Sequence, residues 1–282
     1  IAASPDWMAQ MHISILAPRN YSIAAALFAG MLLLAMPAQA DPAGRIGRIA
    51  LVSGNVYLSN PDTGEEIAAP LNQPLTSGDI LTTDPGSRAE IQIGSTTLRL
   101  DSDSRLELDR IDDDQVSVFL NDGRAIVKLA TSDAVNDFEL ETRNGRFKAR
   151  DDGIYRFEAE PGRSSAAVYY GALHFESGDS TLDIGAGQGA QFWFSDGTRY
   201  RLSNVTNDDF SRWSALRDQQ ARSNTYSRYV SPEMTGAEDL DAYGDWEESP
   251  DYGAVWYPRS VAADWAPYRT GHWAWVAPWG WS

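Results

Sequence analysis

The sequence predicts an all-β domain, then a single helix, then an irregular tail rich in tryptophan. Three observations carry this expectation. Apolar and polar residues alternate with period 2 in Ala89-Glu90-Ile91-Gln92-Ile93, Leu98-Arg99-Leu100, Leu106-Glu107-Leu108, Val116-Ser117-Val118-Phe119-Leu120 and Tyr155-Arg156-Phe157, as half-buried strands require. Turn-forming pairs recur between them, among them Ser53-Gly54, Ser77-Gly78, Asp122-Gly123, Asn144-Gly145, Asp152-Gly153 and Asp196-Gly197, with no helical period intervening. Seven of the ten tryptophans then fall between Trp246 and Trp281, a density that calls for mutual packing or a contact surface.

Residues 1–40 read as upstream sequence and a leader. A start at Met11 places His12 and Arg19 ahead of an apolar run from Ser22 to Met36, followed by Ala38-Gln39-Ala40. That order of basic, apolar and small-x-small is a secretory signal peptide. The run is about 15 residues long, short of the roughly 20 that a spanning helix needs. Cleavage ahead of Asp41 is therefore expected, with retention as an uncleaved anchor the alternative.

The β domain is expected over residues 45–205, with Ile91, Ile93, Leu98, Leu100, Leu106, Leu108, Val116, Val118 and Leu120 facing inward. Arg99, one residue out of phase, is expected to contribute nothing to stability. Asp122-Gly123 and Asn144-Gly145 suit two-residue hairpins in primed turns. The helix is expected over 206–225, ending near Ser223. Asn207 serves as its cap, Asp208 and Asp209 sit in its first turn, and Phe210, Trp213 and Leu216 form the stripe packed on the β domain.

The tail, 226–282, opens with a polar, Gly- and acid-rich link. It then repeats an aromatic, a glycine and a tryptophan: Tyr243-Gly244-Asp245-Trp246, Tyr252-Gly253-Ala254-Val255-Trp256 and Tyr268-Arg269-Thr270-Gly271-His272-Trp273. Glycine there lets the backbone turn beneath packed rings. The closing Trp279-Gly280-Trp281-Ser282 reads as a unit cut short.

Composition excludes several classes of function. The formal net charge is −17, with Lys128 and Lys148 the only lysines, so nucleic acid and anionic headgroups are repelled. No nucleic-acid partner and no stable membrane insertion after cleavage are expected. The absence of cysteine removes disulfides, thiolate metal sites, thiol nucleophiles and lipid attachment.

The stretch Leu75-Thr76-Ser77-Gly78-Asp79-Ile80-Leu81-Thr82-Thr83-Asp84, continuing Pro85-Gly86-Ser87-Arg88-Ala89-Glu90-Ile91, resembles the core motif of FecR-like domains. Val52-Ser53-Gly54-Asn55-Val56 and Leu98-Arg99-Leu100-Asp101 also fit that pattern. The tail resembles the Trp-rich C-terminal region of exported proteobacterial proteins that pair it with such a domain and have no established activity. The resemblance implies a FecR-like stack of short strands, solenoid-like or sandwich, acting as an interaction module. FecR-type regulators add a cytoplasmic anti-sigma segment and a membrane span, and their periplasmic β domain receives a signal from an outer-membrane receptor. With only a leader expected ahead of Asp41, the β domain alone carries over.

Chemistry-bearing motifs are sparse. Zinc needs three or four ligands at ordered spacing, whereas His174 and His272 stand about a hundred residues apart, His174 as a structural residue in an alternating strand. Asp101-Ser102-Asp103 and Asp112-Asp113-Asp114 lack the glycine-punctuated, Glu-terminated pattern of an EF-hand and read as solvated turns. Gly185-Ala186-Gly187-Gln188-Gly189 runs into a strand, not a helix, so it reads as a tight turn and not a phosphate loop. No catalytic, cofactor-binding or metal residues are predicted.

The expected function is a non-catalytic interaction module of the envelope of a Gram-negative bacterium, periplasmic or secreted, possessing no cofactor and binding an envelope protein or glycan, in signalling or envelope assembly. The candidate contact residues are Trp246, Trp256, Trp265, Tyr268, Trp273 and Trp275. One alternative is carbohydrate or peptidoglycan binding on exposed Trp and Tyr faces. The other is a hydrolase using a carboxylate pair that sequence spacing does not reveal.

Overall fold

The computed structural model describes residues 45–61, 64–222, 225–262, 264–266, 269, 275–276 and 280–281, the last four for their backbone alone, as is Arg222. The leader, Tyr268, His272 and Trp273 lie outside the described residues, as does the side chain of Trp275.

Strand alternation gives each sheet one apolar side, and two sheets bury those sides against each other. Sheet A runs in the order β4 (Pro74–Leu75), β1 (Gly47–Ser53), β6 (Arg88–Ile93), β7 (Thr96–Leu100), β9 (Val116–Leu129), β12 (Gly153–Glu160), β13 (Arg163–Tyr170), β16 (Gln188–Phe194) and β17 (Thr198–Asn204). Sheet B runs β3 (Glu65–Ala68), β2 (Val56–Asn60), β5 (Ile80–Thr83), β8 (Ser104–Ile111), β9 again, β10 (Phe138–Thr142), β11 (Gly145–Ala149), β14 (Ala172–Glu176) and β15 (Thr181–Gly185). From β10 onward, successive hairpins alternate between the layers, each pair lying outside the last. The result is a sandwich built by solenoid-like stacking.

The strand β9 belongs to both layers. Val116–Asp122 pairs with β8 in sheet B, and Gly123–Leu129 pairs with β12 in sheet A. Asp122-Gly123, expected to turn a hairpin, is instead where this strand bends from one layer to the other. Gly123 has φ 91°, and a Cβ there would fall 2.3 Å from Ser104 Oγ and 2.5 Å from the Ser104 Cα. Only glycine permits both that conformation and that approach.

Strand β10 lies parallel to the first half of β9, so the chain must return before pairing. A short helix within the β region makes that return, contrary to the sequence expectation: α1 (Ser132–Asp137), with the Thr131 hydroxyl accepting from the Ala134 N–H at 3.2 Å. It was not legible because six residues are too few for a helical period. The Asn144-Gly145 hairpin forms one residue earlier than expected. Thr142 pairs with Gly145, so Arg143-Asn144 is the loop, and neither residue has positive φ.

The inward register is as expected. Ile91, Leu98, Leu100, Leu106, Leu108, Val118 and Leu120 are fully buried. Aromatic rings join the layers toward the C-terminal end: Phe147 and Phe175 of sheet B meet Phe157 and Phe192 of sheet A, with Phe175 stacked on Phe192 at 3.8 Å. Each such ring contributes about 1.5–3 kcal/mol by burial. Asp101 is not in a solvated turn as expected. It is buried, with its carboxylate 2.8 Å from Arg88 and 2.6 Å from Arg124.

Beyond the sandwich, β18 (Gly244–Ser249) and β19 (Gly253–Pro258) form a second small antiparallel sheet, and β20 (Trp275–Val276) pairs with β21 (Gly280–Trp281). No helix among the described residues is long and apolar enough to cross a membrane.

Candidate functional site

The outward positions of β6 and β7 carry Glu90 and Arg99, which are cross-strand partners. Arg99 does not face solvent. Helix α2 (Asp209–Arg222) lies over it, leaving it 3% exposed. Its guanidinium donates to Glu90 at 2.7 Å, to the Ser214 hydroxyl and carbonyl at 2.7 and 3.1 Å, and to Asp218 at 2.8 Å. Arg217 reaches Glu90 at 2.8 Å and Lys128 reaches Asp218 at 3.3 Å, so each buried carboxylate has two cationic partners. Burial opposes ionisation of Glu90, yet the Arg217 hydrogen bond and the nearby Arg99 charge hold its carboxyl below the ordinary range. Asp218 is lowered in the same way, burial being overcome by Arg99 and then Lys128.

This arrangement corrects the expected packing of the helix. Its buried face is Phe210, Ser214 and Asp218, spaced four residues apart, whereas Leu216 is 60% exposed. The cap is Asp208 and not Asn207: its carboxylate accepts from the Ser211 N–H at 2.9 Å, while the Ser211 hydroxyl accepts from the Asp208 N–H at 2.9 Å. Asp208 also receives Arg156 at 2.8 Å. Arg88 lies over Phe210 and Trp213, 5.7 and 5.2 Å from the ring centroids. The helix thus docks by one apolar ring and a charge network.

The acid-rich segment after the helix also docks. Glu233 accepts from the Ser95 N–H at 3.2 Å and from the Thr131 hydroxyl at 2.8 Å, gripping the β6–β7 turn. Thr235 accepts from Gly94 N–H at 2.9 Å, and Gly236 N–H donates to Gln92 at 3.0 Å. Arg48 on β1 closes the clasp on Glu238 at 2.8 Å and Asp239 at 2.6 Å. The acidic residues that look like solubilising filler are the fastening. Between this strap, α2 and sheet A lies a cleft of about 500 Å³, lined by Glu90, Arg99, Lys128, Asp218 and Glu238. Those charges are spent on one another, which leaves little to recognise a ligand.

The strap delivers the chain through α3 (Leu240–Tyr243) to the aromatic hairpin β18–β19. The tyrosine-glycine-tryptophan echo becomes geometry here, because Trp246 and Trp256 are directly opposed across the two strands. Trp246 stacks on Tyr229 at 4.5 Å, and Trp256 donates its indole N–H to the Leu240 carbonyl at 3.0 Å. Gly244 lies against the Trp256 ring so closely that a Cβ would fall 2.2 Å from it. Arg259 returns to Asp245 at 2.8 Å and to the Gly244 carbonyl at 2.8 Å. Trp246 and Trp256 are therefore half-buried bracing residues. Among the described residues of the tail, the rings left in solvent are Tyr243, Tyr252, Tyr257 and Trp265, with Tyr252 84% exposed.

Of the candidate contact residues, the structure thus brings Trp246 and Trp256 together and leaves Trp265 at the surface. Tyr268 and Trp273 fall outside the described residues. Trp275 opens β20 opposite Trp281, its side chain outside the description. His174 Nδ1 lies 2.6 Å from Asp183, its cross-strand partner. No group of three or more His, Asp or Glu among the described residues is arranged to hold a metal ion. Among the described residues Asp109 is the one carboxyl pushed well up, to about 6, by partial desolvation of a side chain at the surface and then by Glu107 and Glu141.

Two family models match the chain. "FecR protein" matches residues 79–174, from the turn before β5 to the middle of β14. "Family of unknown function (DUF6600)" matches residues 237–282, the end of the strap and the aromatic tail. The central part of the sandwich is therefore FecR-like. No curated protein matches in sequence. Among solved structures, two crystal structures described as a "putative anti-sigma factor" from Parabacteroides distasonis ATCC 8503, at 2.50 and 1.65 Å resolution, are similar at 13% identity. Each match has a TM-score of 0.40 and covers 64% of this chain and 99% of that one.

Proposed function

We propose that this protein is an exported, non-catalytic interaction module of the bacterial envelope, serving signalling or envelope assembly, and that it meets a partner protein through the aromatic hairpin. The observation that carries the reading is the division of labour among the tail rings. Trp246 and Trp256 are used to brace the hairpin, while Tyr243, Tyr252, Tyr257 and Trp265 are held in solvent on a support clasped to the β domain. Large rings kept exposed on an ordered support mark contact surfaces, where tyrosine and tryptophan supply apolar area at small entropic cost. The leader expected in residues 1–40 and the tail's resemblance to exported proteins support an extracytoplasmic setting.

The test is affinity capture from envelope extract with the full chain and with a Tyr252→Ala/Tyr257→Ala/Trp265→Ala variant. A partner retained by the first and lost by the second, at unchanged circular dichroism, supports the proposal. Equal capture by both overturns the assignment to these rings.

A further inference from the structure

The two ends of the sandwich are finished differently. At the N-terminal end, sheet A stops at the two-residue β4, which contains Pro74, and sheet B stops at β3 with Glu65 and Glu66. Short strands, proline and charge are the usual means of preventing edge-to-edge pairing. At the other end, sheet A stops at β17, seven residues without proline, glycine or bulge, and its outer edge pairs with nothing among the described residues.

The faces of β17 differ in character. Tyr200 and Leu202 are register partners of the buried Phe192 and Ala190, so they point to the inner side of the sandwich. Sheet B does not cover them: Tyr200 is 44% and Leu202 54% exposed, with Phe194 beside them at 74%. The other face presents Arg199 and Arg201, the latter over the Trp193 ring at 5.9 Å. Among the described residues no carboxylate pairs with either arginine, in a chain of net charge −17.

We infer that the free edge of β17 accepts an extended, acidic segment of a partner protein as an additional strand of sheet A. Main-chain hydrogen bonds supply the attachment, and alternation supplies the selectivity. One set of side chains must be apolar to cover Tyr200 and Leu202, and the other acidic to meet Arg199 and Arg201. A second copy fits poorly. An antiparallel β17–β17 pair keeps like faces together, which sets the arginines of one copy opposite or diagonal to those of the other.

The experiment uses the full chain and two acetylated, amidated decapeptides, one alternating valine with glutamate and one alternating valine with lysine. Binding is followed by backbone amide NMR up to about 1 mM peptide, enough to half-fill a site of similar Kd. The glutamate peptide is expected to shift amides of residues 198–204 and to bind at least about tenfold more tightly than the lysine peptide. Arg199→Glu/Arg201→Glu, with β16 amide shifts confirming an intact sheet, is expected to reverse that order. The inference is overturned if neither peptide shifts β17, if both bind equally, or if the shifts map elsewhere. Concentration-dependent broadening of the same amides without peptide, with a dimer in sedimentation, would assign the edge to a second copy and overturn it as well. Because β17 is remote in sequence from the tail rings, none of these outcomes bears on the hairpin.

Discussion

Replacing Arg99 by alanine tests whether α2 is held by charge. The side chain is 3% exposed and donates to Glu90, Ser214 and Asp218. Removing one member of a buried pair costs about 3–5 kcal/mol, because the remaining charge is stranded. Glu90 keeps Arg217 and Asp218 keeps Lys128, so the loss falls at the low end, about 3 kcal/mol. That is about a hundredfold in an equilibrium constant. The assay is native-state hydrogen exchange of the α2 amides beside thermal denaturation. Arg99→Ala is expected to lower α2 protection about a hundredfold and, if opening is coupled to global unfolding, to lower Tm by about 6–12 °C. Arg99→Met, which fills the space without restoring the hydrogen bonds, should rescue little. Protection unchanged within about threefold in Arg99→Ala would refute the claim that charge holds the helix.

Other expectations follow from the same contacts. Leu100→Ala, on the inner face of the same strand, should cost about 2–5 kcal/mol and lower protection throughout the sandwich rather than in α2 alone. Gly244→Ala should eject the Trp256 ring and shift tryptophan emission to the red while the β-sheet circular dichroism is kept. The carboxyls of Glu90 and Asp218 are depressed, so their contribution is complete above the unfolded value of about 4 and lost as pH falls through their folded values; α2 should loosen in acid before the sandwich unfolds. Asp109 acts in the opposite sense. Its folded value of about 6 makes it progressively destabilising as pH rises from about 4 to 6, so Asp109→Asn should raise denaturant midpoints at pH 7 more than at pH 4.

How much of this was legible in the sequence depended on what each residue packs against. Leu98, Leu100, Leu106 and Leu108 announce the inner face because apolar burial writes a period-2 pattern. Arg99 and Glu90 obey the same period with polar residues, and nothing in that pattern says whether water or a helix covers them. A clue was present: Ser214 and Asp218 follow Phe210 at four-residue spacing, which places a carboxylate on the docking face. Reading apolar residues alone selected Leu216, which is exposed. The bend of β9 at Gly123 was hidden for a similar reason, since Asp-Gly marks a hairpin only when both flanking strands lie in one sheet. The tail echo was legible and became the Trp246–Trp256 cross-strand pair. What the echo could not reveal is that those two rings brace the hairpin instead of facing out.

The central claim, contact through the exposed tail rings, is tested most directly by photo-cross-linking in cells. A benzophenone amino acid replaces Tyr257 in one strain and Arg163, an exposed residue at the start of β13, in another. One discrete cross-linked protein is expected from position 257, lost when Tyr252 and Trp265 are replaced by alanine, and none of that product from position 163. No product from position 257, or the same product from both positions, would contradict that claim.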